Sequence, residues 1–96
     1  MKPSFLLQKH RQEILAIVLN HRALNVRVFG SALHGDDTDG SDLDLLVEPT
    51  PETTLMDIGA IRYELRKLLG IPVDVVTPLA LPVHFRDGVL KEARPL

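Results

Sequence analysis

Val26-Arg27-Val28-Phe29-Gly30-Ser31, followed after ten residues by Asp42-Leu43-Asp44-Leu45-Leu46-Val47, is the stretch on which the fold turns. Val26 to Phe29 is β-branched and aromatic in character and stops at a glycine, which predicts a strand feeding a tight turn. Ser31 then reads as the N-cap of a following helix. The second run is apolar apart from its aspartates and ends at Pro49, which predicts a second strand. Side chains two apart on a strand share a face, so Asp42 and Asp44 would project together while Leu43 and Leu45 point the other way.

Downstream, Leu55, Ile58, Ile61, Leu65, Leu68 and Leu69 recur at helical spacing, which predicts a helix over 54–69. Thr54 and Asp57 suit a capping box and Gly70 a C-terminal stop. Pro72 to Thr77 reads as a third strand, and the helix before it is a crossover long enough for that strand to run parallel to the second. Matching strand ends would then set Asp74 beside Asp42 and Asp44.

Upstream, Leu6, Leu7, Ile14, Ile17 and Val18 follow a helical pattern, which predicts one amphipathic helix from Ser4 to about Asn20. At the other end, Phe85, Val89 and Leu90 would line a last short helix before Pro95, reached irregularly because of Pro78 and Pro82. The expected fold class is α/β (α+β), a mixed β-sheet with helices packed against it.

Clustered carboxylates repel one another unless a cation lies between them. Hard oxygen ligands in a chain without cysteine favour Mg²⁺ or Mn²⁺, and Mg²⁺ is typically held by a few carboxylates together with substrate phosphates. Gly30-Ser31 offers the complementary part, since glycine lets a phosphate approach the backbone and a helix start presents free N–H donors. An antiparallel first strand would bring Gly30 next to Asp42, so that phosphate cradle and acids meet.

Composition narrows the alternatives. Ninety-six residues with 45% hydrophobic content suit one domain over 1–96. A net charge of −2 is the wrong sign for broad capture of nucleic acid, so no direct nucleic-acid binding is expected. The absence of cysteine fits a reducing, cytoplasmic home. The longest apolar run, Ile14 to Leu19, is too short to span a bilayer, and no membrane partner is expected.

Several motifs are excluded. There is no Walker pattern, and no histidine pair has zinc-site spacing. A calcium loop built on Gly40 would need an acid at position 35 and a glutamate at 46, where Gly35 and Leu46 stand. Asp36, Asp37 and Asp39 therefore read as a solvated loop. Arg62, Arg66 and Lys67 read as charges that complement the helix dipole and face water, and the histidines as surface residues.

Taken together, Val28-Phe29-Gly30-Ser31, then Gly35, then Ser41-Asp42-Leu43-Asp44-Leu45-Leu46-Val47 resembles the DNA polymerase beta superfamily. Within it, the chain is similar to the minimal nucleotidyltransferases, the MNT proteins paired with HEPN toxins, in length and in its terminal Glu92-Ala93-Arg94-Pro95-Leu96 as well. The resemblance implies the small nucleotidyltransferase fold and two-metal nucleotidyl transfer. Asp42, Asp44 and Asp74 would be catalytic and share two Mg²⁺ ions, and Gly30 and Ser31 would bind the nucleotide. It further implies ATP as donor, a HEPN ribonuclease toxin as hetero-oligomeric partner, and a tyrosine hydroxyl of that toxin as the acceptor of AMP.

One departure stands out: His34 precedes Gly35 where members often carry arginine, which implies a weaker or pH-dependent triphosphate contact. The runner-up function is an antitoxin that neutralises its toxin by stoichiometric binding without catalysis. Transfer to a small molecule would call for an added acceptor domain, and template-directed polymerisation for duplex-gripping domains.

Overall fold

The structure is a computed structural model that describes residues 1–96. Its elements in order are α1 (Pro3–Lys9), α2 (Arg11–Asn20), β1 (Ala23–Phe29), α3 (Ser31–His34), β2 (Leu43–Pro49), α4 (Leu55–Leu69), β3 (Val73–Val76), a 3₁₀ turn (Pro78–Ala80), α5 (Val83–Glu92) and β4 (Arg94–Pro95). The strands form one sheet in the order β3-β2-β1-β4. β1 runs antiparallel to β2 and β4, and β2 runs parallel to β3 across the α4 crossover, as expected from the sequence.

Period-two alternation sorts the sheet into two faces. Val26, Val28, Leu43, Leu45, Val47, Val73 and Val75 are buried in one cluster with Leu6 and Leu7 of α1, Ile14 and Val18 of α2, and Ile61, Leu65 and Leu69 of α4. The three helices therefore cover one face and supply its core. Arg27, Phe29, Asp44, Leu46, Asp74 and Val76 belong to the other face, where Leu46 is buried and the 3₁₀ turn packs on β2. One extra residue in β1 between Leu24 and Arg27 makes a bulge, with Asn25 at φ 54°. Asparagine tolerates this left-handed value better than most residues.

α4 forms as the sequence predicts. Thr54 Oγ1 accepts from Asp57 N–H at 3.2 Å, Asp57 Oδ2 accepts from Thr54 N–H at 2.9 Å, and Gly70 closes the helix at φ 70°. The single helix expected over Ser4 to Asn20 is instead two, broken at His10 (φ −108°, ψ 22°). His10 Nδ1 pairs with Glu13 Oε1 at 2.8 Å, and Leu6 and Leu7 on one side of the break enter the same core as Ile14 and Val18 on the other. Two short helices lay both apolar pairs on the sheet.

The C-terminal helix is present as α5, but none of its residues is buried. The returning tail adds the two-residue strand β4, which pairs with Arg27 and Val28 and was not predicted. Pro95 fits there because an edge strand can spare an N–H. Leu96 N–H then donates to Val26 O at 3.0 Å.

Candidate active site

β1 ends, and β2 and β3 begin, at the same edge of the sheet, and there the motif residues collect. Phe29 is the register partner of Asp44 on β2, and Asp44 is the register partner of Asp74 on β3. Asp44 and Asp74 thus stand side by side on neighbouring strands, on the face away from the helical core. Asp42 lies just before β2 and is exposed.

Gly30 follows Phe29 at φ 74° and ψ −153°, a conformation that favours glycine. A Cβ on this residue would collide with Asp44 Oδ2 and lie 3.3 Å from Asp44 Cγ, so the carboxylate rests directly against the bare glycine. Gly30 also occupies the cap position of α3, with its carbonyl accepting from Leu33 N–H at 3.1 Å and His34 N–H at 3.3 Å. Ser31, predicted as the cap, is instead the first helical residue, because only glycine can adopt the turn that Asp44 demands. Its N–H and hydroxyl still lie at the open end of this single helical turn.

The electrostatics reflect the crowding. Burial pushes the Asp44 carboxyl above the ordinary carboxylate range, and the neighbouring Asp74 and Asp42 charges push it in the same direction. No three His, Cys, Asp or Glu side chains converge into a ready-made cation cage. Asp44 and Asp74 alone are paired in register, which suits Mg²⁺, since that ion is held by one or two carboxylates with phosphate oxygens and water completing its shell. A divalent cation between them would offset the burial and the repulsion that raise Asp44.

One acid and one base behave differently from their sequence reading. Asp37 is not solvated: it is 3% exposed and its Oδ2 accepts from Ser4 N–H at 2.7 Å, which ties the loop between the two motifs to the start of α1. That bond holds the Asp37 carboxyl below the usual carboxylate range although burial opposes it. Arg66 does not simply face water. Its Nε–H donates to Val73 O at 3.1 Å and its Nη2 lies 3.8 Å from Asp74 Oδ1. Both contacts depend on how chain segments meet in space, and no local pattern announces them.

His34 Nε2 faces Glu92 Oε2 at 3.2 Å, joining the end of α3 to the end of α5. Arg27, one row behind Phe29 on the acid-bearing face, pairs with Glu48 at 2.7 Å. The chain's one cavity, about 290 Å³, lies elsewhere, among Leu15, Leu19 and Leu24 beside Pro95 and Leu96. The acids instead lie on an open sheet face. No helix is long and apolar enough to cross a membrane.

A mixed sheet whose antiparallel first pair brings Gly-Ser against Asp-x-Asp, with a parallel third strand adding an acid, defines a small nucleotidyltransferase. The chain belongs to the nucleotidyltransferase domain family, whose profile matches residues 7–96. It is 34% identical over 83 residues to "Putative protein adenylyltransferase MJ0435" of Methanocaldococcus jannaschii, covering 86% of this chain and 89% of that one. A solved structure described as a "putative minimal nucleotidyltransferase" superposes with a TM-score of 0.86 at 40% identity, covering 97% of this chain and 95% of the other. A toxin-antitoxin structure with AMP-PNP shares the fold at a TM-score of 0.74 and 17% identity, over 88% of this chain and 69% of that one. The protein is therefore an enzyme of the nucleotidyltransferase class, of the minimal type.

Proposed function

We propose that this chain, acting as one domain over 1–96 in the cytoplasm, transfers AMP from ATP onto a tyrosine hydroxyl of a HEPN ribonuclease toxin and so silences it. The observation that carries the reading is the register Phe29–Asp44–Asp74 with Gly30 seated against Asp44. The relative's name speaks of protein adenylylation and the AMP-PNP neighbour is a toxin-antitoxin assembly, which supports both the donor and the kind of acceptor.

Asp42, Asp44 and Asp74 are the residues that would hold Mg²⁺, or Mn²⁺ in its place. Two such ions, when bound, supply positive charge to the triphosphate and to the attacking oxygen. Gly30 and Ser31 orient the β- and γ-phosphates through backbone N–H groups and the Ser31 hydroxyl. Asp74, at the sheet edge, lies on the acceptor side, where its carboxylate takes the proton of the incoming tyrosine hydroxyl. The tyrosine oxygen forms a bond to the α-phosphorus, the bond from that phosphorus to the bridging oxygen breaks, and pyrophosphate leaves. The open acid-bearing face leaves room for the toxin to complete the acceptor site.

Intact-mass measurement of a candidate HEPN partner, incubated with this protein, ATP and Mg²⁺, tests the reading. Whole AMP units should appear, and should be lost with an Asp42→Asn, Asp44→Asn double variant. Full inhibition of the toxin by both versions with no mass gain would instead establish an antitoxin that acts by binding.

A further inference from the structure

The ion pair at the sheet edge carries one step more. β3 is an outer strand of the sheet, with β2 on one side and no strand on the other. Pro72 O accepts from Leu43 N–H at 3.0 Å on the β2 side. Successive carbonyls along a strand point to opposite sides, so Val73 O faces the open edge. Arg66 fills that vacancy with its Nε–H. Its backbone is held in the last turn of α4, where Gly70 N–H donates to Arg66 O at 2.8 Å. The side chain is therefore fixed at its backbone and at Nε, and its Nη2 is left facing Asp74 Oδ1, the carboxylate of the residue next to the one whose carbonyl it caps.

We propose that Arg66 is a positioning residue: it draws the Asp74 carboxylate toward the sheet edge, away from Asp44, so that a divalent cation engaging Asp74 must compete with the guanidinium. The inference rests on the reading of Asp74 as a cation ligand. It assigns the helix that covers the opposite face a part in the chemistry, since α4 reaches round the edge through this one side chain. A plain edge cap would need only the Nε bond to Val73. The second contact, to Asp74, is what a competing counter-charge requires. With side chains 45% and 53% exposed the pair is modest in strength, so it can yield to a dication while still setting where Asp74 waits.

Mn²⁺ binding to the nucleotide-free protein, read by electron paramagnetic resonance, tests this apart from activity. Arg66→Gln should bind Mn²⁺ roughly two- to fivefold more tightly than the wild type, the range expected for release of an exposed ion pair. Arg66→Lys should return toward the wild-type affinity. In turnover, Arg66→Gln should lower kcat with KM for ATP unchanged, because Asp74 lies on the acceptor side. Unchanged Mn²⁺ affinity in a folded Arg66→Gln variant, whatever its melting temperature, would overturn the inference and leave an edge cap. A wild-type protein that binds no Mn²⁺, or an Asp74→Asn variant that binds it as well as wild type, would overturn the cation-site reading itself.

Discussion

At the scale of single residues, the contact between Gly30 and Asp44 decides most. Gly30→Ala introduces a Cβ into the space of Asp44 Oδ2 at a positive φ, which alone costs about 1–2 kcal/mol. The carboxylate must also move, so nucleotidyl transfer should fall by about a hundredfold, the scale of losing one well-placed electrostatic contact. Melting temperature and single-turnover AMP transfer on the same sample separate the two effects. Asp44→Asn should behave in the opposite way for stability: it removes the charge that burial and Asp74 oppose, so the metal-free protein should melt higher at neutral pH while activity drops by about 10²–10³-fold. A variant that melts no higher would mean that Asp44 is not under electrostatic strain. The Gly-Ser and Asp-x-Asp residues were legible in the sequence because their spacing is local. Asp37 and Arg66 were not, since the partner of the first, Ser4, lies 33 positions away and those of the second belong to another element.

At the scale of elements, legibility follows how much of each element's cause is local. α4 carries its own start, stripe and stop, and all three appear in the structure. Thr54→Ala removes one half of the capping box and should cost about 1 kcal/mol by urea titration, with AMP transfer retained because the acids lie across the sheet. An equal loss of activity would mean that α4 transmits its end position to β3 more strongly than a cap alone implies. The break at His10 and the strand β4 have no such local cause. A continuous apolar stripe hides a break whose benefit is tertiary, the delivery of two apolar pairs to one sheet face. Arg94-Pro95 becomes a strand only because Arg27 and Val28 offer it an edge, and two residues carry no periodicity to read.

At the scale of the whole molecule, three carboxylates with opposite shifts set how stability responds to pH. Asp37 and Asp57 are held below the ordinary carboxylate value of 3.8, each chiefly by a backbone N–H, from Ser4 and Thr54 respectively. Their unfolded forms take up protons first as pH falls, so their contributions are complete above pH 3.8 and are lost as pH drops through their folded values. Asp44 is shifted upward, so the sign reverses: its protonated form favours the folded state below pH 3.8, and that contribution disappears as pH rises through its folded value. The metal-free protein should therefore lose stability with acid below about pH 4 and should also lose some as pH rises from there through the folded value of Asp44. Asp37→Asn should make the acid limb shallower, with Asp57 carrying the rest, and Asp44→Asn should flatten the upper limb, each leaving the other in place. Mg²⁺ should raise the upper limb of the wild type alone if it binds as proposed, because a cation there would offset the repulsion that Asp74 and Asp42 exert on Asp44. Melting temperature followed from pH 3 to 8, with and without Mg²⁺, reads all of this in one series. An upper limb that Mg²⁺ leaves unmoved in the wild type would place the strain at Asp44 outside any cation site and remove the link between the enzyme's chemistry and its stability.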